Sequence, residues 1–253
     1  MKKSVKRKIH DRLFKLLPHE LRKQLLRGNI SQGAGAFLFD SGTLKHFKME
    51  TYSQSAQDAF ILNMIFGKKT DGFFLEIGAN DPIAINNTYL FEKHGWSGMA
   101  FEPIASLAKK WEGVRTTKCY NVAVGDQNGK VQFTENKSNY LSHVGEAGDG
   151  AKGVKEEGSL TYEVDQVRLT DFLNEKGIKK VDVAFIDVET YEINVLDGID
   201  FEQTDITCIC IESSEEIVIT PRMDIREYII GKGYRLVARL TYDDIFLKES
   251  YFE

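Results

Sequence analysis

The chain has 253 residues, four prolines, an apolar fraction of 42% and a charged fraction of 28%, which suits one large or two small soluble domains without a long disordered linker. Residues 1–30 carry ten Lys or Arg against Asp11 and Glu20, while the remaining 23 basic residues face 36 acidic ones, so the acidic body argues against a nucleic-acid groove. Three cysteines, Cys119, Cys208 and Cys210, give no disulfide framework and no metal cluster, and the expected setting is a reducing cytoplasm.

In the basic segment, Val5, Ile9, Leu13, Leu16, Leu17, Leu21 and Leu25 recur at helical spacing. Such a helix packs on its own domain or on a second subunit of a homo-oligomer, or it lies peripherally on an anionic membrane; packing is preferred. It lacks a signal peptide's continuous apolar stretch, and no apolar run approaches the roughly 20 residues of a membrane span. Residues 1–50 are read as a basic amphipathic helical extension and 51–253 as the domain that carries the chemistry.

Ser31 to Phe37 reads as a loop. Gln54 to Gly67 reads as a helix with Phe60, Ile61, Met64 and Ile65 on one face, delivering Gln57 and Asp58 ahead of the first sheet strand. Residues 73–79 form that strand, and a helix through Asn86, Asn87, Thr88, Tyr89 and Phe91 stops at Gly95. Met99 to Glu102 form a second strand, and Cys119 to Val124 a third. The glycine-rich stretch from Gly145 to Gly158 is expected to be an exposed loop, with an active-site lid as the alternative. A strand and a helix follow, and then Val181 to Val188, apolar nearly throughout, as a strand buried on both faces of a parallel sheet. Its end presents Asp187 and Glu189. Another strand ends at Glu212, and the last two apolar runs form an antiparallel hairpin. The fold class is α/β: a mostly parallel sheet wound from βαβ units, with a C-terminal antiparallel hairpin and an N-terminal helical extension.

The sequence FFLEIGANDP, Phe73 to Pro82, followed by Glu102 at the end of GMAFEP, has the form of a strand, a glycine turn and a second strand ending in a carboxylate placed for a ribose. A dinucleotide fold needs GxGxxG to bring backbone to a pyrophosphate. Here Gly78 is followed by Ala79, Asn80, Asp81 and Pro82, and no GxxxxGK[ST] loop occurs. Glu76, two residues before Gly78, suits a ligand with a cationic amino-acid end and no phosphate, namely S-adenosylmethionine. By their places at successive strand ends, Gly78 and Asn80 face its methionine part, Glu102 its ribose, and Asn121 with Val122 its adenine.

Four motifs in order, SQSAQD, GFFLEIGANDP, NNTYLFEKHGWSGMAFEP and IDVETYEINVLDGIDF, resemble those of the FkbM-type methyltransferases over about residues 52–250. The resemblance implies a Rossmann-like class I methyltransferase fold and S-adenosyl-L-methionine, released as S-adenosyl-L-homocysteine. It also implies O-methylation of a sugar hydroxyl, on a carbohydrate or nucleotide-sugar acceptor of a capsule, another surface polysaccharide or a natural product. Gln57 and Asp58 match the family's QD pair and are assigned to the donor's amino-acid end. The family's usual DVEG stands here as Asp187, Val188, Glu189, Thr190, so a β-branched residue replaces a glycine.

Methyl transfer to an alcohol requires that the hydroxyl lose a proton, and the candidate bases are His143, Asp187 and Glu189, with Glu212 nearby. A divalent metal held by Asp187, Glu212 and His143 is the alternative, and a metal-free base is preferred to it. Competing functions are a non-catalytic cofactor-binding or scaffold protein of the same fold and a nicotinamide-dependent oxidoreductase.

Overall fold

The computed structural model describes residues 50–67, 69–137, 142–145, 158–215 and 220–253. The N-terminal basic helix and all but the ends of the 145–158 stretch lie outside them. No helix among the described residues is long and apolar enough to cross a membrane.

A seven-stranded sheet forms the centre. Its strands are β1 (Phe73–Ile77), β2 (Ser97–Phe101), β3 (Lys118–Tyr120), β8 (Lys180–Ile186), β9 (Asp205–Glu212), β12 (Tyr234–Leu240) and β13 (Asp243–Lys248), in the order β12-β13-β9-β8-β1-β2-β3. The pairs from β9 through β3 are parallel, whereas β13 runs antiparallel to both β9 and β12. The chain steps from β1 outward to β2 and β3, then returns to the other side of β1 as β8. Neighbouring strands β1 and β8 therefore feed loops that diverge at their carboxyl ends, and a crevice opens there.

Alternation places the apolar side chains of the central strands on both faces. Leu75, Ile77, Ala184, Ile186, Ile209 and Ile211 pack on one side. Phe74, Val183, Phe185, Cys208 and Cys210 pack on the other, so the two cysteines share a face and are buried as free thiols.

A second sheet, inserted between β3 and β8, consists of β4 (Ala123–Gly125), β5 (Gly129–Glu135), β6 (His143–Val144) and β7 (Leu160–Arg168) in the order β4-β7-β5-β6. The expected single strand from Cys119 to Val124 is in fact two. The backbone turns at Asn121, where the Val122 N–H donates to the Tyr120 carbonyl at 2.9 Å, and β4 leaves for the second sheet to pair with β7. Two-residue strands β10 (Ser214–Glu215) and β11 (Thr220–Pro221) pair with each other.

The helices are short: α1 (Gln57–Phe60), α2 (Tyr89–Lys93), α3 (Ala105–Lys110), α4 (Leu169–Glu175), α5 (Glu192–Asp197) and α6 (Met223–Gly231). After α1 the chain continues as a π-helix over Ile61–Ile65. The wider turn rotates the apolar face away from the regular helical expectation. Met64 is consequently 72% exposed, and Ile61 and Leu62 are the residues that enter the core.

Candidate active site

At the end of β1 the backbone turns at Gly78 with φ 85°. A β-carbon there would lie 1.7 Å from the Asp187 carbonyl oxygen, so β8 occupies the space any side chain would need. The turn is tied on both sides: the N–H groups of Gly78 and Ala79 donate to the Phe101 carbonyl, and the Asp187 N–H donates to that of Ile77. The result is an open cleft over the ends of β8, β1 and β2. Its empty space, counted out to the mouth and including open solvent, is about 870 Å³.

Glu76, Gly78, Asn80, Glu102, Val122, Asp187 and Glu189 all line this cleft, so the structure brings seven of the sequence-selected residues together. Glu76 Oε1 accepts from the backbone and side-chain nitrogens of Asn87, both at 3.3 Å, while its Oε2 is buried without a hydrogen-bond partner. Burial pushes this carboxyl up to about 7. Glu102 is fixed by two backbone donors, Ile104 N–H to Oε1 and Asn80 N–H to Oε2, each at 2.8 Å. It too is raised to about 7 by burial, with the nearby Glu135 adding to the effect. Each of its oxygens keeps a lone pair for a further donor.

Asp187 is open to solvent through the cleft yet surrounded by protein. That enclosure, reinforced by Glu212, Glu189, Asp243 and Glu192, holds its carboxyl well above the ordinary aspartate value. Asp187, Glu189 and Glu212 each offer an oxygen within 4.8 Å of the others, a set with the chemistry to hold a divalent cation. His143 is not a member of that set.

Glu189 enters the cleft from a turn with two successive left-handed residues, Glu189 at φ 51° and Thr190 at φ 85°. The turn is clamped: the Thr190 N–H donates to Glu192 Oε1 at 3.1 Å, and Arg222 Nη1 donates to Glu192 Oε2 at 2.9 Å. A threonine with positive φ carries a local cost. Thr190→Gly should therefore stabilise the protein by about 1 kcal/mol, after allowing for glycine's larger unfolded entropy, as read by urea denaturation. An unchanged or lowered midpoint would show that the turn stores no such strain.

The other selected residues fall elsewhere. Asp58 is fully buried and accepts from Thr51 Oγ1, Tyr52 N, Ser53 Oγ and Ala59 N, which fixes the approach to α1. Gln57 Oε1 accepts from Ser55 N, and its Nε2 donates to Asp243, so the pair holds β13 to α1 behind the acidic group. Asn121 is exposed outside the cleft wall and donates to the Glu102 and Pro103 carbonyls at 2.9 and 2.8 Å. His143 lies opposite Thr134 in the β5–β6 ladder and is buried, whereas its neighbours Ser142 and Val144 line the cleft. Strand alternation accounts for this placement.

Several supporting residues carry no local sequence signal. Arg115 donates to Glu92 Oε2, the Pro82 carbonyl and Asn86 Oδ1, and Asn86 Nδ2 donates to the Asp81 carbonyl; together they hold the loop after Gly78. Behind Glu212, Asp244 accepts from Arg226 Nε and Nη2 and from Arg239 Nη1, and Ser213 Oγ donates to it at 2.6 Å.

Comparison with known proteins bears on what this cleft is. The chain is similar to a crystal structure of methyltransferase FkbM from Methylobacillus flagellatus KT, with a TM-score of 0.46 and 12% identity, over 70% of this chain and 44% of that one. The chain thus spans less than half the length of that protein. No curated protein sequence matches it. The model of the methyltransferase FkbM domain matches residues 76–236, from the cleft's first carboxylate to the C-terminal strands. Because that match covers well over half of the sequence, the chain belongs to the FkbM methyltransferase domain family.

Proposed function

We propose that the protein is an S-adenosylmethionine-dependent O-methyltransferase of Rossmann-like class I architecture, acting on a hydroxyl of a carbohydrate. The observation that carries this proposal is the convergence on one cleft of Glu102, Asp187 and Glu76, whose Oε2 is buried with no donor within hydrogen-bond geometry. A buried acceptor left without a donor is costly, and a cationic or hydrogen-bond-donating ligand relieves that cost. The amino-acid end of S-adenosylmethionine suits Glu76, and its ribose hydroxyls suit the remaining lone pairs of Glu102. The residues present fit this ligand.

Bound there, S-adenosylmethionine supplies an electrophilic methyl group on a cationic sulfur. The chain's own task is to orient an acceptor hydroxyl, exclude water and receive a proton. Asp187 is the proposed base: one oxygen of its carboxylate takes the hydroxyl proton. Burial first, and the negative groups around it second, raise the affinity of its carboxylate for a proton. Glu189 and Glu212 flank it, and Glu189, which lines the cleft, is the one proposed to meet a neighbouring acceptor hydroxyl.

Calorimetry with S-adenosylhomocysteine tests the donor assignment. Glu102→Ala should weaken binding by about 1.5–3 kcal/mol, the worth of hydrogen bonds to a charged group. Unaltered affinity would place the ribose elsewhere, and binding of NAD in preference to the thioether would overturn the assignment. Mass-spectrometric transfer assays against neutral and nucleotide-linked sugars address the acceptor, and a donor that binds but never reacts with any of them would favour the scaffold alternative.

A further inference from the structure

Three aromatic side chains line the cleft: Phe101, Phe133 and Tyr191. Phe101 and Phe133 are 1% and 3% exposed and sit inside packed apolar clusters, so neither has a face to offer a ligand. Tyr191 differs. It is partly exposed and belongs to none of the apolar clusters, whereas Tyr52, Tyr120, Tyr162 and Tyr228 all pack against one. An aromatic ring left partly open at the border of a cleft offers a flat apolar surface.

That ring is tethered. The Tyr191 hydroxyl donates to Gln166 Oε1 at 3.2 Å, and Gln166, 3% exposed on β7, donates from Nε2 to the Gln127 carbonyl at 3.0 Å. A β-carbon on Gly125 would lie 2.7 Å from Gln166 Cδ, so the glycine leaves the space this side chain fills. The inserted sheet thus supplies the anchor, while Tyr191 itself directly precedes α5 on the turn that carries Asp187 and Glu189. Charge limits what can lie beside the ring. Among the described residues lining the cleft, Glu76, Glu102, Asp187 and Glu189 are carboxylates and none is Lys, Arg or His. A phosphate would enter without a counter-charge and against groups of its own sign. An uncharged pyranose matches both features, because its ring C–H groups make an apolar face and the hydroxyls around its rim donate to carboxylates.

Resting on the methyl-transfer reading above, we propose that Tyr191 is the acceptor platform: the apolar face of an uncharged sugar ring lies on the tyrosine, and its hydroxyls reach Asp187 and Glu189. The acceptor class this selects is a glycoside without phosphate, in preference to a nucleotide-linked sugar.

The test gives the full chain S-adenosylmethionine with two sets of sugars: the methyl glycosides of glucose, galactose, mannose and rhamnose, and the nucleoside-diphosphate forms of the same four. Transfer, read by mass spectrometry, should favour the methyl glycosides. Tyr191→Leu, which keeps apolar bulk but removes the flat face, should raise the KM for the best glycoside about three- to tenfold and leave kcat within about twofold, the signature of lost ground-state binding. Tyr191→Phe, which keeps the face and gives up the tether, should raise KM less. Calorimetric affinity for S-adenosylhomocysteine should be unchanged in both, a readout that a general loosening of the cleft would move. A preference for the nucleotide-linked set, an unchanged KM in Tyr191→Leu, or a loss of S-adenosylhomocysteine binding in that variant overturns this inference and leaves the methyltransferase reading standing. If the unaltered protein binds S-adenosylhomocysteine and methylates no sugar of either set, the carbohydrate reading fails and takes this inference with it.

Discussion

Without ligand, the protein is expected to be more stable at pH 5.5 than at pH 8, the reverse of ordinary acid sensitivity. Glu76, Glu102 and Asp243 are all nearly fully buried, and burial pushes each carboxyl up to about 7. A carboxyl with a raised folded-state value binds its proton more tightly in the folded chain than in the unfolded one. Its contribution to stability is complete below the ordinary value of about 4 and is lost as the pH rises through about 7. Between pH 8 and 5.5 each such group should contribute roughly 2 kcal/mol. The gain has a floor: Glu92, held down to about 2 by Thr117, Thr116 and Arg115 against its burial, contributes stability that fades as the pH falls below its ordinary value. Urea midpoints measured from pH 4 to 9 should therefore peak near pH 5. A midpoint that rises steadily toward pH 8 would show that these carboxylates are ionised without penalty in the folded chain.

Asp244→Ala is expected to cost about 3–5 kcal/mol, the toll of breaking a buried ion pair from one side. Asp244 has no exposed surface, and both of its guanidinium partners, Arg226 and Arg239, are 3% exposed. Removal of the carboxylate takes away the anion that both guanidinium groups share. The damage should reach the cleft, because Ser213, which also donates to Asp244, directly follows Glu212 at the end of β9. Chemical denaturation gives the stability loss, and calorimetry with S-adenosylhomocysteine reports whether the cleft survives. A loss below about 1 kcal/mol would mean that water reaches the arginines and replaces the anion.

The parallel centre of the fold was legible because β8 is a nearly unbroken apolar run and β1 ends in a glycine, two signals that local sequence carries by itself. Glu76, Gly78, Asn80, Glu102 and Asp187 were legible for the same reason, each lying at or near the end of such a strand. The inserted sheet was not. Its first strand is three residues long, and only a turn at Asn121 separates it from β3, so the sequence reads as one continuous element. Met64 was misplaced because nothing in the pattern announces a π-helix, and the extra residue in the turn moved the face. The partners of Gln57 and Arg115 were invisible for another reason. Gln57 meets Asp243 across 186 positions of chain, and no periodicity encodes such a meeting.

The end of α5 meets the second sheet with no side chain between them. A β-carbon on Gly198, at the end of α5, would lie 2.0 Å from the carbonyl oxygen of Gly125, the last residue of β4. Main chain against main chain acts as a fixed spacer between that helix end and β4. A larger residue at either position would have to push the second sheet away from the helix, because the contact itself has nothing left to remove.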